Sequence, residues 1–137
     1  MGERIMVSAC LLGATCRYDG KDSKTRLPVG PHDTIIPICP EVAAGFGIPR
    51  PEIQWTKTGR VRIVNSGEDV TAPLRDACVD LGERALLLRV DRAVLKRRSP
   101  SCGTRTIWCD GELVDGEGML APYLRKAGVH VEGAPVE

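Results

Sequence analysis

The pattern of apolar and polar positions predicts several short strands. Apolar runs predict strands at residues 4–9 and 34–38, and Pro37 places the second strand at an edge or a strand end, because proline has no amide proton to donate. Polar–apolar alternation around a turn that contains glycine predicts a hairpin over residues 53–64. The continuous apolar run at residues 85–90 is typical of a buried parallel strand.

Helical spacing follows the hairpin. Apolar positions recur there at intervals of three and four residues, which predicts a helix that begins at Asp69 or Thr71. Gly82 is expected to end this helix just after Leu81. A shorter helix is predicted at residues 118–126.

The order of these elements predicts an α/β fold. A last short strand at residues 129–131 completes an alternation of strands and helices, which is typical of a mainly parallel sheet. We therefore expect one small α/β domain over residues 1–137, in which a mainly parallel sheet is flanked by helices in a Rossmann-like arrangement, with the hairpin added.

Charge and length exclude some classes of protein. The 137 residues carry 19 Lys and Arg against 18 Asp and Glu, a formal charge of +1, which argues against a protein that coats nucleic acid. No apolar run approaches the roughly 20 residues that a transmembrane helix needs, so no membrane partner is expected. The N-terminal apolar stretch is too short for a secretion signal, and we expect a cytoplasmic protein.

Six cysteines are the unusual feature of the composition. In a small secreted domain they would suggest three disulfides, but without an export signal the open alternatives are a metal site, catalysis or inert burial. Three of them, Cys10, Cys39 and Cys102, follow predicted strands, with small or rigid neighbours. Because ligands of an open parallel sheet bind at the carboxyl ends of its strands, these three thiols could meet at one edge.

The other three cysteines have different settings. Cys78 lies on the apolar face of the predicted helix and is interpreted as a small core residue. Cys16 and Cys109 fall in predicted loops, where they are either without a role or a redox pair. Three thiolates with an open fourth position would suit a catalytic metal site, whereas scattered buried thiols remain the plain alternative.

Short motifs spread over nearly the whole chain resemble the DUF523 family, whose characterised members are thiouracil desulfidases. In order they are Val7-Ser8-Ala9-Cys10-Leu11-Leu12-Gly13, Arg17-Tyr18-Asp19-Gly20, Cys39-Pro40-Glu41, Pro49-Arg50-Pro51, Gly67-Glu68-Asp69-Val70-Thr71, Leu95-Lys96, Ser99-Pro100-Ser101-Cys102-Gly103 and Asp110-Gly111. The chain departs from the family pattern at Cys109, where an aromatic residue is expected, and at Cys16, where an aliphatic residue is more usual.

The resemblance implies a [4Fe-4S] cluster held by Cys10, Cys39 and Cys102, with the fourth iron free to bind the sulfur of a thiolated pyrimidine. It further implies that this small-molecule substrate loses its sulfur, so that thiouracil becomes uracil and sulfide is released. An iron with an empty position is a Lewis acid for a soft C=S sulfur, and a base must take the proton of the attacking water. Glu41 is the expected base, and Ser101 is expected to orient substrate or relay a proton.

Weaker candidates and rival functions stay open. Ser8, Ser99 and Arg17 are candidates for substrate binding, although the serines equally fit backbone hydrogen bonding. The basic run of residues 96–98 is a solvated face or, for a nucleotide or tRNA substrate, a phosphate contact. The rivals are an iron–sulfur sensor without enzymatic activity, a desulfidase acting on thiolated tRNA, and a persulfide-based sulfur transferase.

Overall fold

The structure, a computed structural model, describes residues 2–135 and contains two sheets and three α-helices. The strands are β1 (Arg4–Ser8), β2 (Thr34–Ile38), β3 (Ile53–Trp55), β4 (Val61–Ile63), β5 (Arg92–Leu95), β6 (Thr106–Cys109), β7 (Glu112–Asp115) and β8 (His130–Gly133). The helices are α1 (Pro40–Ala43), α2 (Thr71–Leu87) and α3 (Leu120–Lys126), and a 3-10 helix covers Ala9–Leu12. None of the helices described is long and apolar enough to cross a bilayer.

Two four-stranded sheets form the framework. The first has the order β2-β1-β5-β8 and is parallel throughout, and β2 with Pro37 lies at its edge as predicted. The second has the order β4-β3-β6-β7, with antiparallel pairs at both ends and a parallel pair between β3 and β6. This arrangement confirms the α/β fold with a mainly parallel sheet, and it extends the predicted hairpin of β3 and β4 into a second sheet.

Both faces of the parallel sheet are covered. Met6 of β1 joins the larger core, which contains the buried faces of α2 and α3. Ile5 and Val7, which alternate with Met6, belong to a second cluster with Leu11 and other residues of the segment after β1. The alternation of side chains in β1 therefore places helices on one face and this segment on the other.

The end of α2 corrects one prediction. The helix does not stop at Gly82 but continues to Leu87. Gly82 lies where α2 packs against α3. A Cβ atom at Gly82 would lie 3.2 Å from the carbonyl oxygen of Tyr123. The glycine therefore serves close helix packing, and it does not terminate the helix.

The strand predicted at residues 85–90 is also wrong. Ala85 is buried in the core as part of α2, whereas Leu86 and Leu87 are 65% and 81% exposed at the end of that helix. The parallel strand is β5, which begins at Arg92. A short apolar run fits a helix end and a strand equally well, and here the core positions keep helical spacing through Ala85.

The predicted loop around Cys109 is a strand. Cys109 ends β6, and Asp110 and Gly111 form the turn to β7 with φ angles of 48° and 82°. Two positive φ angles at the centre of a two-residue turn match a type I′ hairpin. The predicted helix at residues 118–126 and the predicted strand at residues 129–131 correspond to α3 and β8, each with shifted ends.

Candidate functional site

A pocket of about 310 Å³ lies where β1 and β2 end, beside the loop that follows β5. The structure brings Cys10, Cys39 and Cys102 to this pocket, together with Cys16. The three cysteines expected at one edge of the sheet therefore share a site, and a fourth thiol joins them. Within the described residues, no two cysteines are joined by a disulfide.

Local structure presents each of the three thiols. Cys10 lies on the 3-10 helix directly after β1, and Cys39 is the N-terminal cap residue of α1, between β2 and Pro40. Cys102 lies in a tight turn, in which Ser99 Oγ accepts hydrogen bonds from the amides of Cys102 and Ser101 at 3.1 and 3.2 Å. The segment that carries Cys102 is thus held by its own backbone and by Ser99.

The segment before α3 supports this turn from outside. The amides of Gly118, Met119 and Leu120 donate to the carbonyl oxygens of Gly103, Pro100 and Ser101 at 2.7, 3.0 and 2.9 Å. Gly118 lies so close that a Cβ atom there would be 2.6 Å from the amide nitrogen of Gly103 and 2.7 Å from that of Cys102. Sequence reasoning missed Gly118, since it lies next to the turn only in the folded chain.

Glu41 is buried and has partners on both carboxylate oxygens. Arg50 Nε donates to Oε1 at 3.1 Å, and Ser101 Oγ donates to Oε2 at 2.9 Å. Nη1 of Arg50 also donates to the carbonyl oxygens of Cys16 and Gly47, each at 2.9 Å. Arg50 thus joins the carboxylate to the segment that carries Cys16.

The predicted serines form a hydrogen-bonded chain. Because the Ser101 hydroxyl proton goes to Glu41, the 3.0 Å contact between Ser99 Oγ and Ser101 Oγ requires Ser99 to donate to Ser101. Ser8 Oγ accepts a hydrogen bond from the amide of Lys96 at 2.9 Å. Ser99 and Ser8 therefore accept hydrogen bonds from backbone amides, the alternative to substrate binding given for both. Both also line the pocket.

Arg17 lines the pocket but is engaged by its own loop. Its guanidinium donates to Asp19, to Ser23 Oγ and to the carbonyl oxygen of Asp22 at 3.2–3.3 Å. Arg17 therefore organises its own loop at the pocket, and substrate binding by it stays a prediction.

Burial favours the protonated thiol at Cys102 and Cys16, since it raises the pKa of each. Burial raises the pKa of Cys102, a hydrogen bond from Ser8 opposes the rise, and the charges of Cys39 and Cys10 add to it. Burial likewise raises the pKa of Cys16 to about 12, with Cys39 and Cys10 contributing. Such thiols become thiolates when a bound cationic group supplies positive charge.

The donor set suits a polynuclear group. Within residues 2–135, no three His, Cys, Asp or Glu side chains converge on a point that one metal ion could occupy. The thiols instead surround the pocket from separate elements, and in an iron–sulfur cluster each iron takes its own cysteine. The thiol donors that line the pocket therefore fit an iron–sulfur cluster.

The remaining cysteines and aromatic residues lie in different places. Cys78 is fully buried in the larger core as predicted, and Cys109 is buried away from the pocket. Trp55 donates from Nε1 to the carbonyl oxygen of Pro100, whereas Tyr18 and Trp108 line the pocket with 39% and 38% of their surfaces exposed. Trp108 was missed because the hairpin of β6 and β7 was missed.

The chain is similar to known proteins over most of its length. The sequence model of the family described as 2-thiouracil desulfurase matches residues 5–134. The uncharacterized protein YbbK of Bacillus subtilis (strain 168) is 33% identical over 141 residues, covering 93% of each chain. The solved structure of a [4Fe-4S]-dependent thiouracil desulfidase, TudS (DUF523Vcz), matches with a TM-score of 0.81 and 34% identity, over 96% of this chain and 90% of that one.

Proposed function

Because the chain belongs to the 2-thiouracil desulfurase family, we propose that it removes sulfur from a thiolated uracil, giving uracil and sulfide. We further propose that Cys10, Cys39 and Cys102 hold a [4Fe-4S] cluster, the group named for the similar TudS structure. The observation that carries the proposal is the shared pocket, in which these thiols meet Glu41 and Ser101.

The proposed reaction is a hydrolysis. Water adds its oxygen to the ring carbon, the carbon–sulfur bond breaks, and the sulfur leaves as hydrosulfide. The cluster, when bound, would supply an iron that polarises the carbon–sulfur bond as a Lewis acid. No external oxidant or reductant is needed, because the carbon keeps its oxidation state.

Glu41 is the proposed base. Each of its carboxylate oxygens already accepts one hydrogen bond, and each keeps a second lone pair for the attacking water. Arg50 holds Oε1 in place, so that the carboxylate keeps one orientation. Ser101 is the proposed relay, since its hydroxyl lies 2.9 Å from Glu41 and 3.9 Å from Cys102 Sγ.

The closing experiment loads the full chain with iron and sulfide without oxygen. We expect about four irons and four sulfides per chain. We also expect the loaded chain to convert thiouracil to uracil, which chromatography measures. Cys102→Ser is expected to lower the bound iron. A protein without iron that keeps full desulfidase activity would instead support the persulfide transferase, and a loaded protein without turnover would support the sensor.

A matched pair of carboxylates tests the base. Glu41→Gln is expected to keep the iron and to lower kcat by about 10²–10⁴-fold, as loss of a general base does. Glu52→Gln is the control, because Glu52 also lines the pocket and contacts Gln54 at 2.7 Å. Equal turnover in the two variants would remove Glu41 from the base role.

A basic groove favours a second candidate, a desulfidase for thiolated nucleotides or RNA. A cavity of about 640 Å³ is lined by Arg97, Arg98, Arg105 and Arg125, and the first two also line the thiol pocket. Phosphate would suit such a groove when a thiolated base occupies the pocket. A higher kcat/KM for thiouridine monophosphate than for thiouracil, lost in Arg105→Ala, would support this candidate.

A further inference from the structure

Cys16 is a fourth thiol in the same pocket. It is 8% exposed, and it lines the cavity together with Cys10, Cys39 and Cys102. Neither the carboxylate nor the serine chain described above contacts its side chain. A buried thiol that faces the site and has no part in the proposed chemistry requires its own explanation.

Two contacts hold the carbonyl group of Cys16, one from Arg50 and one from Cys39. The Cys16 carbonyl oxygen accepts from Arg50 Nη1 at 2.9 Å, and Cys39 Sγ lies 3.9 Å from that same oxygen. Cys16 also packs in one cluster with Cys10, and Cys39 packs against that cluster. Cys16 therefore packs with two of the three proposed ligands at the pocket that all three line.

Cys16 lies on a segment outside the helices and strands. Residues 14–16 form no regular helix or strand, and the chain turns before them at Gly13, whose φ is 97°. Iron–sulfur clusters of the [4Fe-4S] type are ordinarily held by four cysteines, and a soft thiolate is a better ligand for iron than water is.

We propose that Cys16 binds the fourth iron while no substrate is present, and that the substrate sulfur displaces it. The inference rests on the proposed function, because it assumes the cluster held by Cys10, Cys39 and Cys102. When Cys16 binds, its S–H bond breaks, the proton passes to water and an iron–sulfur bond forms. No electron is transferred, and the thiol regains a proton when it is displaced.

Such a ligand would keep the fourth iron in place during oxidation. A [4Fe-4S] cluster with only three cysteine ligands loses its unligated iron under a mild oxidant and becomes a three-iron cluster. A chain with Cys16 in place is expected to resist that loss, whereas a chain without it is expected to lose the iron.

The test uses the loaded wild type, Cys16→Val and the control Cys109→Ala, which removes an equally buried cysteine outside the pocket. Each is treated with limiting ferricyanide, and bound iron and the paramagnetic signal of a three-iron cluster are measured. We expect wild type and Cys109→Ala to keep about four irons, and Cys16→Val to fall to about three with the three-iron signal. Cys16→Ala repeats the test if valine prevents folding.

Binding gives a second readout. Cys16→Val is also expected to bind thiouracil more tightly, because no thiolate has to be displaced. Equal iron loss and equal thiouracil affinity in wild type and Cys16→Val would overturn the fourth-ligand inference and leave the proposed function standing. A wild-type chain that takes up no iron would overturn both.

Discussion

Replacing Arg50 by methionine removes the counter-charge of a buried carboxylate. In the wild type, Arg50 Nε lies 3.1 Å from Glu41 Oε1, and their side chains are 3% and 11% exposed. The substitution also removes the donor to the carbonyl oxygens of Cys16 and Gly47. Breaking a buried pair by removing one partner typically costs about 3–5 kcal/mol, because the remaining charge is left without compensation.

That cost is measurable as a shift in stability. For a chain of this size, each kcal/mol lowers Tm by about 3–4 °C, so Arg50→Met is expected to lower Tm by roughly 10–20 °C. The measurement is thermal and urea unfolding of the reduced chain, followed by circular dichroism.

Two controls separate the buried pair from a general effect. Arg84→Met removes an exposed arginine that pairs with Asp80 at 2.8 Å, and such surface pairs contribute about 0.2–1 kcal/mol. The double variant Arg50→Met/Glu41→Gln removes both charges, so it is expected to be more stable than the sum of the two single losses predicts. A cost for Arg50→Met as small as that for Arg84→Met would refute the reasoning.

Two further predictions concern the turn of Cys102 and the response to acid. Gly118→Ala puts a Cβ atom 2.7 Å from the Cys102 amide nitrogen, so we expect the free energy of unfolding to fall by about 1–3 kcal/mol and the bound iron to decrease. In the control Gly30→Ala, the Cβ atom would lie 3.5 Å from the nearest side chain, and neither quantity should change. A hydrogen bond from Arg60 holds the pKa of Asp69 below its usual range. The Asp69 carboxylate therefore stabilises the folded chain fully above about pH 4, and this stabilisation is lost as the pH falls towards the lower pKa of the folded state. Urea midpoints should therefore place Asp69→Asn below wild type at pH 7 and closer to it at pH 3, and a gap independent of pH would contradict this.

Strands could be predicted where the local pattern had a single meaning. The apolar run of β1, the proline in β2 and the turn between β3 and β4 each gave the element that the structure contains. The rule that ligands bind at the carboxyl ends of parallel strands then predicts from sequence alone that Cys10, Cys39 and Cys102 lie together. That rule needs only the positions of the strand ends along the chain, which the apolar pattern largely predicts.

Prediction failed where one local pattern fits two structures. The apolar run after Gly82 could be a strand or a helix end, and the choice depended on the packing of Gly82 against Tyr123, 41 positions along the chain. The sequence predicts only a loop around Cys109, whereas the structure has a hairpin that turns at Asp110 and Gly111. The hairpin, and with it Trp108 at the pocket, therefore emerged only from the folded chain.

The sequence by itself determined the alternation of elements, the α/β class and the three cysteines at the sheet edge, because these follow from side-chain periodicity and from residues next to strand ends. Only the tertiary structure decided the partners of Arg50, the place of Cys16 and the close contact of Gly118. Arg50 reaches back 34 residues to Cys16, and Gly118 lies against a turn 16 residues before it. Such contacts depend on how whole elements pack, and no local pattern of residues encodes that packing.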